Sequence, residues 1–221
     1  MTTLGILWQY RQAFASGLAV SLKIALSVWA IGLVFGTILG VLAVRFRKTL
    51  GGAIGVLGAI ISAIPVLVIL FWLHYPLQAA LDVVIDPFYT AVAAFSLVNV
   101  FGVAGIVKAG LANFPSQYIV AARVCGLGRR VTALRIVIPL LVGQLIPGLL
   151  LLQVTMFQVT LFASLISVDE IFRVAQRVNA EVYRPVQIYT GLAILFLIVC
   201  LPLNVFAHWL GKRFSVLTSD R

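Results

Sequence analysis

Residues 120–139 read VAARVCGLGRRVTALRIVIP. Four arginines, Arg123, Arg129, Arg130 and Arg135, fall inside this stretch of a chain that is 62% hydrophobic. A cation at the centre of a bilayer costs at least about 2.5 kcal/mol, so the stretch lies outside the hydrocarbon, between long apolar runs that lie within it. The small residues Ala121, Ala122, Gly126 and Gly128 predict a short helix, a glycine break and a second helix, which Pro139 then redirects.

Elsewhere charge is scarce. Only 10% of the 221 residues are charged, against about 25% in globular domains. That composition marks an integral membrane protein and excludes the soluble cofactor-binding and hydrolase folds. A net charge of +10 would suit nucleic acid, but once the spans are set aside no basic surface interleaved with aromatics remains. Cys125 and Cys200 stand apart, one in the basic stretch and one in an apolar run, and support neither a disulfide framework nor a metal site. Near the start, Gln9, Arg11 and Gln12 interrupt what a cleaved signal would need as an apolar core. Leu4, Leu7, Trp8, Arg11 and Phe14 fall instead at helical spacing, which predicts an amphipathic helix lying in the interface.

Five apolar runs, 17–44, 52–80, 88–107, 140–166 and 186–210, are long enough to cross a bilayer and leave 108–139 as one connecting loop. Pro65 is expected to kink the second run, and Trp72, His74 and Tyr75 form an aromatic belt at its end. His208, near the end of the last run, reads the same way. Residues 168–185 are mixed in charge and read as extramembrane or re-entrant. The fold class is therefore all-α integral membrane, with five transmembrane helices. If the first span exits to the cytoplasm, eleven of the sixteen basic residues lie inside, from Arg45, Arg47 and Lys48 through Lys108 and the four arginines to Lys212, Arg213 and Arg221. The excess places the amino end outside and the carboxyl end in the cytoplasm.

Polar residues inside the spans are the candidate substrate path: Asn99 in the third, Gln153, Gln158, Thr160 and Ser164 in the fourth, with Pro65 at the bend of the second. The same residues also suit hydrogen bonding between helices, and both readings stay open. Asp169 and Glu170, close to Arg173 and Arg177, are expected to pair locally. Gly32, Gly36 and Gly40 repeat every four residues and predict a face of close helix packing. The chain contains no G-x4-G-K-S/T phosphate loop.

Val120-Ala121-Ala122, three residues to Gly126, nine more to Ile136, then Ile138-Pro139 resembles the cytoplasmic E-A-A-x3-G-x9-I-x-L-P loop of permease subunits in ATP-binding-cassette importers. The resemblance covers most of the chain and points to the polar amino-acid uptake family. Gly17-Leu18-Ala19-Val20-Ser21-Leu22-Lys23 is similar to that family's G-x-x-x-T-L-K start, and 64–71 to its T-P-L-L-V-Q-L-F run. Ala163-Ser164-Leu165-Ile166 through to Glu170 resembles its A-S-V-I-G-V-P-E-L segment, and Tyr183-Arg184-Pro185 with Tyr189 its F-R-P-x-x-x-Y entry to the last span.

The resemblance implies a type I permease of five spans. Its loop would form a coupling helix docked on a cytoplasmic ATPase dimer, which binds ATP and magnesium; this chain would bind no cofactor. Val120, Ala121, Ala122, Arg123, Gly126, Leu127, Gly128, Arg129, Arg130 and Pro139 would carry the coupling. Two permease subunits would share one path in a bacterial inner membrane, fed by an extracytoplasmic solute-binding protein. The chain departs from the family pattern where Val120 replaces the motif glutamate, Gly105 another glutamate, and Val159 an aspartate of the fourth span. These losses favour a heterodimer in which a different chain carries the charged substrate contacts. An ion-driven transporter would need intramembrane acids, and a membrane enzyme would need clustered catalytic groups. Neither set is present at one depth, so these remain the alternatives to a permease that is not itself an enzyme.

Overall fold

The computed structural model describes residues 3–216, so Arg221 lies outside the described residues. Among those described there is no β-strand. The chain opens with α1 (Thr3–Gln9), which stops at Tyr10 before the long α2 (Arg11–Arg45). At 1.5 Å per residue α2 is about 52 Å long, well beyond the roughly 30 Å of the hydrocarbon. The predicted interfacial helix is thus two elements. α1 turns Ile6 and Leu7 onto the cluster formed by Ile171, Val174, Val178, Ile188 and Leu192 near the end of the chain, while Leu4 and Trp8 stay outward, with Arg11 stacked 5.1 Å from the Trp8 ring.

The second run is broken rather than kinked. α3 (Leu50–Ala63) and the pair α4 (Val66–His74) and α5 (Pro76–Leu81) meet at 93°. Pro65 has no N–H to donate and forces the preceding Ile64 into extended backbone, with ψ 126°. Its carbonyl then starts α4 by accepting from Val68 and Ile69. Beyond α5, Gln78 ties down the loop to the next helix, accepting from Ile85 N–H at 2.8 Å and donating to Thr90 Oγ1 at 3.1 Å.

α6 (Pro87–Ala112) is the centre of the molecule. It runs past Lys108, where the third span was expected to end, to Asn113 with Pro115 just beyond. It packs most extensively on α2, and the predicted glycine face is what allows this. A Cβ at Gly36 would come within 2.6 Å of Val103 Cβ, one at Gly40 within 2.7 Å of Val107 Cβ, and one at Gly32 would collide with Asn99. Around this seam Ile24, Val28, Leu70, Ala91, Ala94 and Phe95 form the main buried cluster.

After α7 (Ser116–Val124) and the single turn α8 (Arg129–Thr132), the chain does not turn aside at Pro139. A π-helical turn, Ala133–Val137, leads straight into α9 (Ile138–Val159) and a 3-10 continuation, Thr160–Ile166. Ile138 N–H donates to Ala133 O, five residues back, and Pro139, which has no N–H to donate, follows directly after this widened turn. The wider turn accommodates the proline without a redirection. Arg129–Ile166 is consequently one continuous helical stretch with its apolar part beyond the arginines, and the connecting loop is shorter than 108–139 at both ends.

α10 (Ile171–Val182) lies against the start of α2, where a Cβ on Gly17 would meet Val174 and Ile171. The last helix, α11 (Pro185–Val216), packs along α9 and α1. Among the described residues four helical stretches are long and apolar enough to cross a membrane, and the bent α3–α5 segment makes a fifth when the pair is counted as one span.

Candidate coupling surface and solute path

The spacing of Ala122 and Gly126 has a local physical cause. Cys125 ends α7, and the chain leaves it through Gly126 at φ +71°, a left-handed conformation that a side chain disfavours. Leu127 N–H then donates to Ala122 O at 2.9 Å, and Gly126 N–H to Arg123 O at 3.0 Å. This six-to-one and five-to-two pairing closes the helix as a Schellman cap. Gly128, in extended backbone, accepts from Thr132 N–H and Oγ1 and starts the next helix.

The capped turn holds a patch outward. Ala122 and Thr132 are buried, whereas Val120, Val124, Leu127, Val131 and Leu134 are exposed, Val124 to 83% and Leu134 to 56%. Arg123, Arg129, Arg130 and Arg135 surround them, all exposed. Among the described residues the ion pairs both belong to Asp169, so none of these four arginines is paired with another described residue. A rigid, apolar patch rimmed by unpaired cations is the kind of surface a protein partner covers.

The expected path residues divide. Asn99 and Gln153 are buried and bonded to each other, with Asn99 Nδ2 also donating to Val28 O at 3.0 Å and Trp29 Nε1 to Gln153 O at 3.0 Å. Thr160 and Ser164 are buried too, their hydroxyls donating to Phe157 O and Leu161 O. Asn99 and Gln153 join α2, α6 and α9, Thr160 and Ser164 bond within their own turns, and none of the four is open to a path in this structure. Gln158 is exposed and lies at the mouth of a groove of about 710 Å3 along α11, with Cys200, Asn204, His208 and Lys212. Pro65 is exposed at the break between α3 and α4.

Glu170 is the largest departure from the sequence reading. Asp169 pairs with Arg173 and Arg177, at 3.4 and 3.2 Å, as anticipated. Glu170 instead is fully buried and caps α10, accepting from Phe172 N–H at 2.9 Å and Arg173 N–H at 2.8 Å. The Ser21 hydroxyl, which accepts from Ile171 N–H at 3.2 Å, donates to it at 3.4 Å. Burial pushes this carboxyl up to about 7, against the opposing pull of the two backbone donors, Ser21 and the Arg173 charge. Glutamate is not among the residues preferred at an N-cap, so the sequence carries no cap signal at this position.

Residues 7–216 match the family model of the binding-protein-dependent transport system inner membrane component. The chain is 29% identical, over 97% of its length and 93% of the relative's, to the octopine transport system permease protein OccM of Rhizobium radiobacter. It is 30% identical, over 92% of its length and 88% of the relative's, to the L-cystine transport system permease protein TcyB of Bacillus subtilis. Its fold superposes on that of an amino acid ABC transporter solved with histidines, at a TM-score of 0.84 and 21% identity, covering 96% of this chain and 99% of the other.

Proposed function

The chain belongs to the family of binding-protein-dependent transport system inner membrane components, and on that premise we propose that it forms half of the translocation path for a polar amino acid or related small solute. Family membership makes it a multi-pass inner-membrane permease of an ATP-driven importer, working with an ATPase, a second permease and a binding protein, and not an enzyme. The finer reading is ours. A dimeric cytoplasmic ATPase, carrying ATP and magnesium, seats on the patch around α7. The second permease is a different chain. The amino end faces outward and the carboxyl end faces the cytoplasm, in a bacterial cytoplasmic membrane.

The observation that carries this reading is the capped turn at Ala122–Gly126, which presents Val120, Val124 and Leu127 among unpaired arginines. With Val120 in place of an acid, docking rests on packing and on Arg123, Arg129 and Arg130 reaching acidic groups of the ATPase. Because α8, the π turn and α9 are continuous, movement of the docked turn is transmitted directly to the fourth span. Of the path residues read from sequence, Gln158 and Pro65 are the two exposed on this chain.

Purification from its native membrane tests the assembly, because an ATPase and a second, different permease should accompany this chain. Reconstituted in proteoliposomes with those partners and the binding protein, it should accumulate solute only with ATP inside. Uptake without ATP would overturn the importer reading, and uptake by this permease alone would overturn the heterodimer.

A further inference from the structure

A separate cavity, of about 270 Å3, opens between α3 and α6. On one wall Gly55 and Gly58 carry no side chains and Ser62 brings a hydroxyl; on the other stand Phe101, Gly105 and Lys108. The glycines make the space. A Cβ on Gly105 would have no atom within 4 Å, and one on Gly58 would sit 3.5 Å from Phe101 Cδ1. The volume corresponds to about nine waters of roughly 30 Å3 each, which is room for a small polar solute.

Lys108 is the one charged group in the lining. It stands one turn from the end of α6, where a lysine ordinarily extends to the interface or bonds the last carbonyls of its own helix. Here its ammonium lies over the opposite wall, 3.4 Å from where a Cβ on Gly55 would be. It has no hydrogen bond or ion pair with any described residue. A half-exposed cation one turn from the end of a membrane helix, aimed into a cavity with no anion of a described residue beside it, is open to an anion from outside the chain.

We propose that this pocket receives the carboxylate of the transported solute, with Lys108 as its counter-charge and Ser62 as a neutral donor. The inference rests on the permease reading above and narrows its substrate to small solutes bearing a carboxylate. It also gives this subunit a binding site of its own, on α3 and α6 rather than the fourth span. Phe101 supplies the apolar wall against which the remainder of the solute packs, and the absence of side chains at Gly55, Gly58 and Gly105 sets how large that remainder can be.

The test uses the purified assembly of this permease, its partner permease and the ATPase, without the binding protein, in phosphatidylcholine nanodiscs. Equilibrium binding is measured for a panel of radiolabelled α-amino acids and their α-carboxamides, which lack the carboxylate. Lys108→Met should weaken binding of the acids by about tenfold or more and leave the amides unchanged, as expected for loss of one charge-assisted contact. Lys108→Arg should retain the preference for acids. Gly105→Leu, whose side chain enters open space rather than a packed seam, should weaken both classes while the assembly stays intact by size-exclusion chromatography.

Wild-type binding by Lys108→Met, equal loss of acids and amides, or no binding by the unmodified assembly would each overturn the proposal. So would an effect seen only when phosphatidylglycerol is added, since the pocket would then hold a lipid phosphate. ATP-driven uptake that survives such a result would sink this inference alone; absence of ATP-driven uptake by the unmodified assembly would sink the permease reading with it.

Discussion

Asn99 and Gln153 exchange hydrogen bonds between α6 and α9, Asn99 Nδ2 donating to Gln153 Oε1 at 3.0 Å and Gln153 Nε2 to Asn99 Oδ1 at 3.3 Å. Each amide satisfies the other in a region with no water to substitute. Replacing Asn99 leaves the Gln153 amide buried and unbonded, and replacing Gln153 leaves the Asn99 oxygen so while its Nδ2 keeps Val28 O, at a cost of about 1–3 kcal/mol. Asn99→Leu or Gln153→Leu alone should therefore lower the thermal midpoint in detergent more than the double replacement does. Additive single effects in that double-mutant cycle would show that the pair is not coupled.

The α2–α6 seam predicts a contrast between glycines. Gly36→Ala would bring a Cβ within 2.6 Å of Val103 Cβ and 2.7 Å of Val100 O, so the helices must separate. Overpacking of this kind costs about 1–3 kcal/mol. Gly52→Ala on α3 meets nothing within 4 Å and should be neutral or stabilising by about 0.5–1 kcal/mol. Thermal unfolding of the two variants side by side decides the matter, and equal midpoints would contradict the packing described.

Within the capped turn, two glycines also differ. Gly126 sits at φ +71° while Gly128 is extended at φ −65°. An alanine at Gly126 carries a left-handed penalty of about 1–2 kcal/mol, whereas Gly128→Ala is conformationally free. Gly126→Ala should thus loosen the turn and reduce the ATPase retained on affinity purification. Gly128→Ala should retain as much as the unmodified chain.

Glu170 predicts a dependence on pH. Its carboxyl ordinarily titrates at 4.5 and is raised to about 7 in the folded protein by burial. The folded state therefore binds this proton more tightly, so the contribution is fully present below about pH 4.5 and is lost as pH rises through about 7. Docking of α10 on α2 should weaken across that interval. Glu170→Gln removes the titration while keeping one oxygen to cap α10. Amide exchange in α10, corrected for the base-catalysed rise in the intrinsic rate, should increase between pH 5 and about pH 8 in the unmodified protein and stay flat in the variant. A parallel rise in both would assign the change to another group.

Much of this architecture is legible in the chain itself. The bilayer selects for apolar length, so Arg123, Arg129 and Arg130 could be set outside the hydrocarbon from composition alone. The glycine seam could be read because Gly32, Gly36 and Gly40 fall on one face of any helix, whatever lies against it. The cap at Ala122 and Gly126 depends only on backbone groups within one turn. Family motifs at those same positions carried the functional reading.

What lay beyond the sequence depended on neighbours remote along the chain. Pro65 and Pro139 are the same residue type, yet one breaks a span at 93° and the other is taken into a continuous helix by a π turn. Glu170 had arginines nearby in sequence, but α2 covers it and Ser21 takes their place. Asn99 and Gln153 were equally suited to a solute or to each other until α6 and α9 brought them together. Lys108 looked like the end of a span, and only the arrangement of α3 beside α6 turns its ammonium across Gly55 into a cavity. Hydropathy and one-turn hydrogen bonds act between residues close in the chain and are fixed by sequence. Which polar groups are satisfied, and which remain to meet a solute, is fixed by the helices that pack against them.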